Sequence, residues 1–317
     1  MSVVRFTELQ NHIATQLVGQ TELVRSMLVC LLCNGHLLIE GMPGLAKTTA
    51  VKALAEGVEG SYHRVQFTPD LLPSDLVGSD IISADGGFEF RAGPIFQNLL
   101  LADEINRAPA KVQSALLEAM AEHQVTVGAK TYPLSELFLV MATQNPVEQE
   151  GTYNLPEAQL DRFLMYCRVE YPKRDEELEI LRLDQVHFRA EKLPEPVELT
   201  QAELFQARAE VAAVYLDPGL EEYIVDLVLA SRNSGALDAE LASWIRFGAS
   251  PRASQALARC ARALAWLEGD DYVTPFHIQT MAPFVLTHRI MLSFEAEAEG
   301  ISASSVVARL LSVVALP

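Results

Sequence analysis

The chain has 317 residues, half of them hydrophobic, which is enough for two domains with packed cores and argues against disorder. Its formal net charge is −18, and an acidic surface repels phosphate backbones, so nucleic acid is a poor partner. The sequence has no signal-peptide core, no apolar run long enough to span a bilayer, and four cysteines, which together predict a cytoplasmic protein with reduced thiols.

Helical and strand patterns alternate in the first half of the chain. Apolar residues recur every four positions over 9–17, and a second helix is predicted from about 21 to 33. The run "HLLIE" predicts a buried strand, and "TTAVKALAEGV" predicts a helix that ends at Gly57. Further strands are predicted at "RVQFT", "NLLLADE" and "LFLVMATQNP", with a helix at "APAKVQSALLEAMAEHQ". This alternation predicts a parallel sheet with helices on both faces.

Two hairpins and a later change of character complete the plan. Turn residues at 85–87 and around Gly128 predict β-hairpins, the first of them an insert near 78–93. A connector over 173–199 begins with a helical pattern and becomes proline-rich. Thr200 and Glu203 then form a capping-box pattern at the start of a helix. The sequence therefore predicts an α/β domain over 1–172 and an all-helical lid domain over 200–317.

The segment "GMPGLAKT" has the spacing of a phosphate-binding loop, with Gly41, Gly44, Lys47 and Thr48 in the expected places. In such a loop, backbone N–H groups face the phosphates, the lysine neutralises β and γ oxygens, and the hydroxyl binds magnesium. The alternative is a plain strand-to-helix turn, but the flanking strand and helix and the Lys-Thr pair favour the phosphate site. Ala46 replaces the usual glycine, at a cost of about 1 kcal/mol if that position needs a positive φ.

The predicted strands "NLLLADE" and "LFLVMATQNP" both end in polar residues. Because strand ends at one edge of a parallel sheet line the ligand crevice, Asp103 is predicted to bind magnesium and Glu104 to polarise the attacking water. The alternative for this pair is two solvated loop acids. Asn145 is predicted to orient the water or touch the γ-phosphate, and its alternative is an Asn-Pro turn.

In order and spacing, the segments "GMPGLAKT", "LLLADEINRA", "ATQNP", "LPEAQLDRF" and "GASPRA" resemble the MoxR family of AAA+ ATPases, from about Phe6 to at least Arg252. The resemblance implies an AAA+ core with a helical lid, and it makes Ala46 a family feature. It implies that Arg162 is an arginine finger for the neighbouring subunit's nucleotide and that Arg252 is the sensor-2 arginine of the lid. Arg107 is expected either to face a neighbouring subunit or to form a surface ion pair.

The resemblance also implies that "VGQ" contacts the adenine and that the hairpins face the pore of a ring. Phe88, Lys130 and Tyr132 are candidates for substrate contact, with ordinary hairpin packing as the favoured alternative. The full set of residues predicted to bind ATP is Val18, Gly19, Gln20, Gly41, Gly44, Leu45, Ala46, Lys47, Thr48 and Thr49.

Three functions are weighed. The first is an ATP- and Mg²⁺-dependent ring, a hexamer, that acts as a chaperone-like remodeller or maturation factor for client proteins, including partners with von Willebrand factor A domains. The second is an AAA+ motor of the helicase or metal-chelatase type, which the acidic charge disfavours for the helicase. The third is a nucleotide-gated scaffold without obligatory turnover, which would use the same residues as a switch.

Overall fold

The computed structural model describes residues 2–82, 87–146, 153, 155–188 and 198–317. The helices are α1 (Ser2–Gln16), α2 (Thr21–Leu32), α3 (Lys47–Glu56), α4 (Pro73–Val77), α5 (Ala110–Glu122), α6 (Glu157–Leu160), α7 (Arg174–Phe188), α8 (Gln201–Ala213), α9 (Pro218–Arg232), α10 (Ala239–Trp244), α11 (Pro251–Glu268), α12 (Pro275–Leu286), α13 (Phe294–Ala298) and α14 (Ala303–Val313). The strands are β1 (Leu37–Gly41), β2 (Tyr62–Gln66), β3 (Gly78–Ile82), β4 (Phe88–Ala92), β5 (Leu99–Asp103), β6 (Gln124–Val127), β7 (Lys130–Pro133), β8 (Leu139–Gln144), β9 (Met165–Val169), β10 (Ile245–Phe247) and β11 (Met291–Leu292).

The centre of the first half is a five-stranded parallel sheet in the order β2-β5-β8-β1-β9. The three central strands β5, β8 and β1 are short, largely apolar runs because helices cover both faces. In β1, Leu37 and Ile39 pack into a core with α2 and α3, whereas Leu38 packs on the opposite face with Leu116 of α5. The predicted parallel sheet is confirmed, and its carboxyl edge carries the ends of β1, β5 and β8.

Two antiparallel hairpins extend from this domain. Strands β3 and β4 form the first and β6 and β7 the second, as predicted, with Gly128 at φ +60° in the second turn. The predicted turn residues Asp85 and Gly86 of the first hairpin lie outside the described residues. The hairpins contact each other through Phe90 and Tyr132, whose rings stack with centroids 4.1 Å apart.

The C-terminal part is helical, with one addition to the prediction. Strands β10 and β11 form an antiparallel ribbon of three and two residues, which is too short to produce a recognisable alternation pattern. The capping box of Thr200 and Glu203 is confirmed at the start of α8. Helix α11 packs against α12 and α9 and also against α2, so the core on that face continues into the α/β domain. No helix in the described part of the chain has the length and apolar character needed to cross a bilayer.

Candidate functional site

The predicted phosphate-binding loop over 41–48, called the phosphate loop below, turns from the carboxyl end of β1 into the N-terminus of α3. Gly41 lies so close to β9 that a Cβ there would be 2.9 Å from the carbonyl oxygen of Val169, so this position needs a glycine. The ammonium of Lys47 donates to the carbonyl of Gly41, and Thr48 is half-buried in the first turn of α3. Loop N–H groups and a helix N-terminus at a sheet edge form an arrangement suited to phosphate binding.

The backbone at Ala46 has a positive φ. Gly44 has φ +83°, and Ala46 follows with φ 54° and ψ 18° before the helix begins. The position of Ala46 therefore does need a positive φ, and alanine is strained by about 1 kcal/mol in this left-handed conformation. Leu45 between them is buried, which anchors the middle of the loop, whereas Thr49 is exposed.

Asp103 ends β5 with 7% of its surface exposed, and both of its carboxylate oxygens accept hydrogen bonds. Arg64 of β2 donates to Oδ2 from Nη2 at 2.6 Å and from Nε at 3.0 Å. The Thr143 hydroxyl of β8 donates to Oδ1 at 2.5 Å. Charge-assisted bonds of this kind hold a carboxylate in one orientation. Asp103 is thus a fixed anionic group at the carboxyl edge of the sheet, not a solvated loop acid.

Glu104 follows in the left-handed conformation, with φ 57° and ψ 50°. Its N–H donates to the Thr143 hydroxyl at 2.9 Å, so one hydroxyl bridges the two acids. Its Oε2 accepts from Gln66 Nε2 at 2.8 Å and from Arg107 Nη1 at 3.0 Å. The left-handed backbone turns this carboxylate out of the strand direction, and strained backbone of this kind clusters at functional sites. Arg107 forms the ion pair that was one of its two expected roles.

Asn145 comes directly after β8, which runs parallel to β5, so it lies at the same edge of the sheet as the two acids. It is 5% exposed. Its carbonyl oxygen lies 3.5 Å from Nδ2 of the buried Asn106, in the turn after Glu104. Below this turn Gln113 is fully buried and donates to the carbonyls of Ile105 and Ala108 at 3.2 Å. These contacts brace the segment that follows Glu104.

The "VGQ" segment lines a cleft of about 360 Å³ beside the end of β9. Gly19, at φ +74°, and Gln20 form one wall, and Val18 is half-buried next to them. The other wall is formed by residues 167, 168 and 170–173 together with Glu176 of α7. Since β9 pairs with β1, this cleft lies at the same edge of the sheet as the phosphate loop. Its position suits the predicted adenine contact.

The two arginines implied by the family lie at the opposite edge of the sheet. Arg162 precedes β9, and the N–H of Leu164, two residues later, donates to the carbonyl of His36, just before β1. Arg162 Nη1 donates to the carbonyl of Leu117 in α5 at 2.5 Å. The five residues of β1 then separate Arg162 from the phosphate loop by roughly 15 Å, at about 3.3 Å per residue.

Arg252, in the first turn of α11, lies near Arg162. Its Nη1 is 3.9 Å from Oδ2 of Asp161, and both arginines line one cleft of about 260 Å³ with residues 34–36. The structure therefore groups Asp103, Glu104 and Asn145 with the phosphate loop of the chain, and groups Arg162 with Arg252 elsewhere. The sequence prediction of a lid arginine reporting on phosphate did not anticipate this separation, because the local motif does not say which edge the lid covers.

The hairpin candidates differ in what surrounds them. Tyr132 stacks on Phe90 and meets Phe96 edge-to-face, with ring centroids 6.4 Å apart, which is the favoured alternative of ordinary packing. Lys130 is exposed. Phe88 belongs to β4, but its side chain lies outside the described residues.

Sequence reasoning missed three residues that hold the acids, namely Arg64, Gln66 and Thr143. Arg64 and Gln66 flank the buried Val65 in β2, and Thr143 is a small hydroxyl residue inside an apolar run. Polar residues within strands that end beside acidic residues were the available signal. Their partners are about 40 residues away, so the contact itself was not readable from local pattern.

The donor set fits magnesium. Mg²⁺ prefers oxygen ligands and is usually held by one or two carboxylates or hydroxyls together with substrate phosphates. Asp103 is a buried carboxylate held in orientation by Thr143, and Thr48 places a hydroxyl in the first turn of α3. These are the two residues that would hold the ion.

Comparison with known proteins gives consistent matches over the whole chain. The family model "ATPase family associated with various cellular activities (AAA)" matches residues 36–165, and the model "AAA lid domain" matches 239–310. The chain is 47% identical to chaperone MoxR1 of Mycobacterium tuberculosis, over 95% of this chain and 79% of that protein. It is 48% identical to protein YeaC of Bacillus subtilis, over 96% and 93%. A crystal structure of a provisionally assigned ATPase from Cytophaga hutchinsonii superposes with a TM-score of 0.91 at 45% identity, over 100% and 96%.

Proposed function

The chain belongs to the MoxR family of AAA+ ATPases, and on that basis we propose that it is an ATP-hydrolysing ring that remodels client proteins. The AAA+ core and lid expected from the sequence are confirmed by the fold and by the two family models. The arrangement of the candidate site residues in this chain gives a second, structural argument for the proposed ring.

The observation that carries the proposal is the separation of these residues between two edges of the sheet. Lys47, Asp103 and Glu104 lie at the carboxyl edge, whereas Arg162 and Arg252 lie together at the amino edge. An arginine there lies roughly 15 Å from the loop of its own chain, at about 3.3 Å per residue of β1. A head-to-tail ring resolves this, because it places the amino edge of one subunit against the carboxyl edge of the next.

The chemistry at such an interface follows from the groups present. Lys47 and the loop N–H groups bind the β and γ oxygens, and Glu104 activates the attacking water, with Asn145 beside it. Thr48 and Asp103 would hold a magnesium ion, which would neutralise charge on the phosphates when bound. Arg162 of the adjacent subunit stabilises charge on the transferring phosphoryl group, and Arg252 contributes a second guanidinium at the same interface.

The proposed biological role rests on family membership more than on the geometry of the site. We propose a hexameric ring in the cytoplasm that assembles or matures client proteins, with von Willebrand factor A domain proteins among its partners. MoxR1, a relative at 47% identity, is named as a chaperone, which supports this role. Hydrolysis would release the clamp that ATP forms between lid and core, and in this way drive a cycle of client binding.

The test is the ATPase rate per subunit against protein concentration, for the wild type and for Arg162→Ala. The rate should rise with concentration as rings assemble, and Arg162→Ala should lose about 10³-fold while still binding ATP, since arginine fingers contribute on that scale. Arg309→Ala is the control, because Arg309 of α14 forms an ion pair with Asp238 within the lid and its loss should leave the rate unchanged. A monomer that stays fully active without Arg162 would exclude the ring mechanism.

A second variant separates turnover from scaffolding. Glu104→Gln removes the base but keeps the side chain's size, so it should bind ATP and assemble without hydrolysing it. If this variant supports client maturation as well as the wild type does, the protein is a nucleotide-gated scaffold and not a hydrolytic remodeller.

A further inference from the structure

Arg289, in the short 3-10 turn after α12, is almost fully buried between the lid and the α/β domain. All five N–H groups of its guanidinium are matched by acceptors. Those acceptors are Asp161 Oδ1 (2.9 Å) and the carbonyl oxygens of Asp161 (3.4 Å), Phe163 (2.6 Å), Leu164 (3.2 Å) and Val285 (2.5 Å). A planar fork with five donors is the side chain suited to such a set, and lysine is not, because its three donors radiate from one point.

Four of these five acceptors belong to residues 161–164, the segment that contains Arg162. The lid contacts the same segment a second time from α11. The hydroxyl of Ser250, which caps α11, donates to Asp161 Oδ2 at 2.8 Å, and Arg252 lies 3.9 Å from that oxygen. Residues from two parts of the lid therefore converge on the one carboxylate adjacent to Arg162.

We propose that Arg289 is a positioning residue for Arg162, through which the lid of one subunit sets the rate of hydrolysis in the next. This inference rests on the proposed function, in which Arg162 acts on the neighbouring subunit's nucleotide. Arg289 does not touch that nucleotide; it fixes the backbone on both sides of Arg162 to the lid. When the lid moves relative to the sheet, the carbonyls bound by Arg289 move with it, and the guanidinium of Arg162 shifts against the neighbouring site.

A purely structural role predicts something different. If Arg289 only joined lid to core, its loss would loosen the chain's own nucleotide cleft, and the defect would stay with the mutated subunit. If it positions Arg162, the mutated subunit keeps a working nucleotide site and fails only as a donor of the arginine. The two roles therefore differ in which subunit's nucleotide is left unhydrolysed.

Mixed rings separate these roles. Arg289→Met should lower kcat about 10²-fold with little change in KM for ATP, the scale expected when a catalytic group is displaced by about 1 Å. Full-length Arg289→Met is then mixed in equal amounts with full-length Glu104→Gln, which lacks the base but keeps Arg162 in place. Random mixing makes about one interface in four competent, with the base from one variant and the arginine from the other. We expect the mixture to regain roughly that fraction of the wild-type rate per subunit.

The reference mixture is Arg162→Ala with Glu104→Gln, with subunit exchange verified by energy transfer between labelled chains. Recovery in both mixtures supports the proposal. Recovery in the reference mixture, but not with Arg289→Met, overturns the role of Arg289 and leaves the proposed function standing. Failure of the reference mixture overturns catalysis across the interface, and the role of Arg289 with it.

Two further variants guard against a folding defect. Arg289→Lys keeps the charge but not the fork, so it should fold if Arg289→Met does not and should show the same recovery on mixing. Arg208→Met is the matched control, because Arg208 also anchors a C-terminal helix to the core, but its Nε donates to the carbonyl of Leu31 at 3.0 Å and not to residues 161–164. It should lower the midpoint of thermal unfolding without lowering kcat. A fall in kcat as large as that of Arg289→Met would show that any lid anchor has this effect, which contradicts a specific role.

Discussion

The Thr143 hydroxyl is the contact whose loss should be most informative, because it bridges both candidate acids. It is 1% exposed, donates to Asp103 Oδ1 at 2.5 Å and accepts from the N–H of Glu104 at 2.9 Å. Thr143→Val keeps the branched shape but removes both bonds. The N–H of Glu104 and one oxygen of Asp103 then lie next to a methyl group.

The expected cost can be worked from those two bonds. A hydrogen bond to a charged group contributes about 1.5–3 kcal/mol, and a neutral one about 1 kcal/mol. Loss of both should lower the free energy of unfolding by about 2–4 kcal/mol. The same bonds hold Glu104 in its left-handed conformation, which is unfavourable by roughly 1–2 kcal/mol for a residue other than glycine. Without them the carboxylate should leave the position in which it is proposed to activate water.

The measurements are denaturant unfolding and steady-state ATPase kinetics. Thr143→Val should lower kcat about 10- to 100-fold while KM for ATP changes little, because the phosphate loop is untouched. Thr143→Ser retains the hydroxyl and should stay close to the wild type in both measurements. Thr126→Val is a second control, since that hydroxyl pairs with Thr131 on an exposed hairpin. If Thr143→Val matched Thr143→Ser, or if its defect lay in KM alone, the bridging role would be wrong.

Three more predictions concern the loop, a buried histidine and a buried thiol. Ala46→Gly relieves about 1 kcal/mol of left-handed strain but adds a similar amount of conformational entropy to the unfolded chain, so the free energy of unfolding should barely change. Ala50→Gly inside α3 should instead lower the free energy of unfolding by about 1 kcal/mol. Equal losses for the two variants in denaturant unfolding would contradict this difference. Burial lowers the pKa of His36 from 6.5 to about 4, so the unfolded chain takes up a proton first as pH falls. The free energy of unfolding should therefore be at its full value above pH 6.5 and decline by about 3 kcal/mol toward pH 4. A His36 ring that titrates near 6.5 by NMR in the native protein would refute this prediction. Burial raises the pKa of the Cys167 thiol to about 12, which keeps the thiol unreactive toward iodoacetamide at pH 8. Mass spectrometry should therefore find Cys167 unmodified in the native protein and modified after denaturation. Alkylation in the native protein at the rate of a free thiol would contradict its burial.

The tautomer of His36 shows how such a group is kept neutral. Its Nδ1 accepts from the N–H of Val140 at 3.0 Å, so the proton lies on Nε2, which donates to the carbonyl of Met120 at 3.3 Å. A second proton would have to displace the Val140 N–H in a site without a carboxylate partner among these contacts. This histidine joins β1, β8 and α5 at the amino edge of the sheet, next to the segment that carries Arg162.

The sequence by itself determined the features that depend on neighbouring residues. The strand-to-helix turn over 41–47, the buried strand that ends at Asp103, the capping box at Thr200 and the hairpin at Gly128 were all predicted and found. Each depends on local chemistry: a glycine that allows a turn, a hydroxyl that caps a helix, or an apolar run that must be buried. The β10–β11 ribbon was not predicted, because three and two residues produce no periodic signal.

Tertiary structure alone decided how those features are connected. Arg64 reaches Asp103 from a neighbouring strand, and Arg289 reaches the Arg162 segment across about 125 residues of sequence. A guanidinium can pair with any exposed carbonyl or carboxylate, so its residue type does not identify its partner. Only strand order and lid docking bring the groups together, and they also separate Arg162 from the phosphate loop by the length of β1. Nearby residues in sequence specify what each group can do, and the packed sheet and lid decide which of these groups lie at the same edge of the sheet.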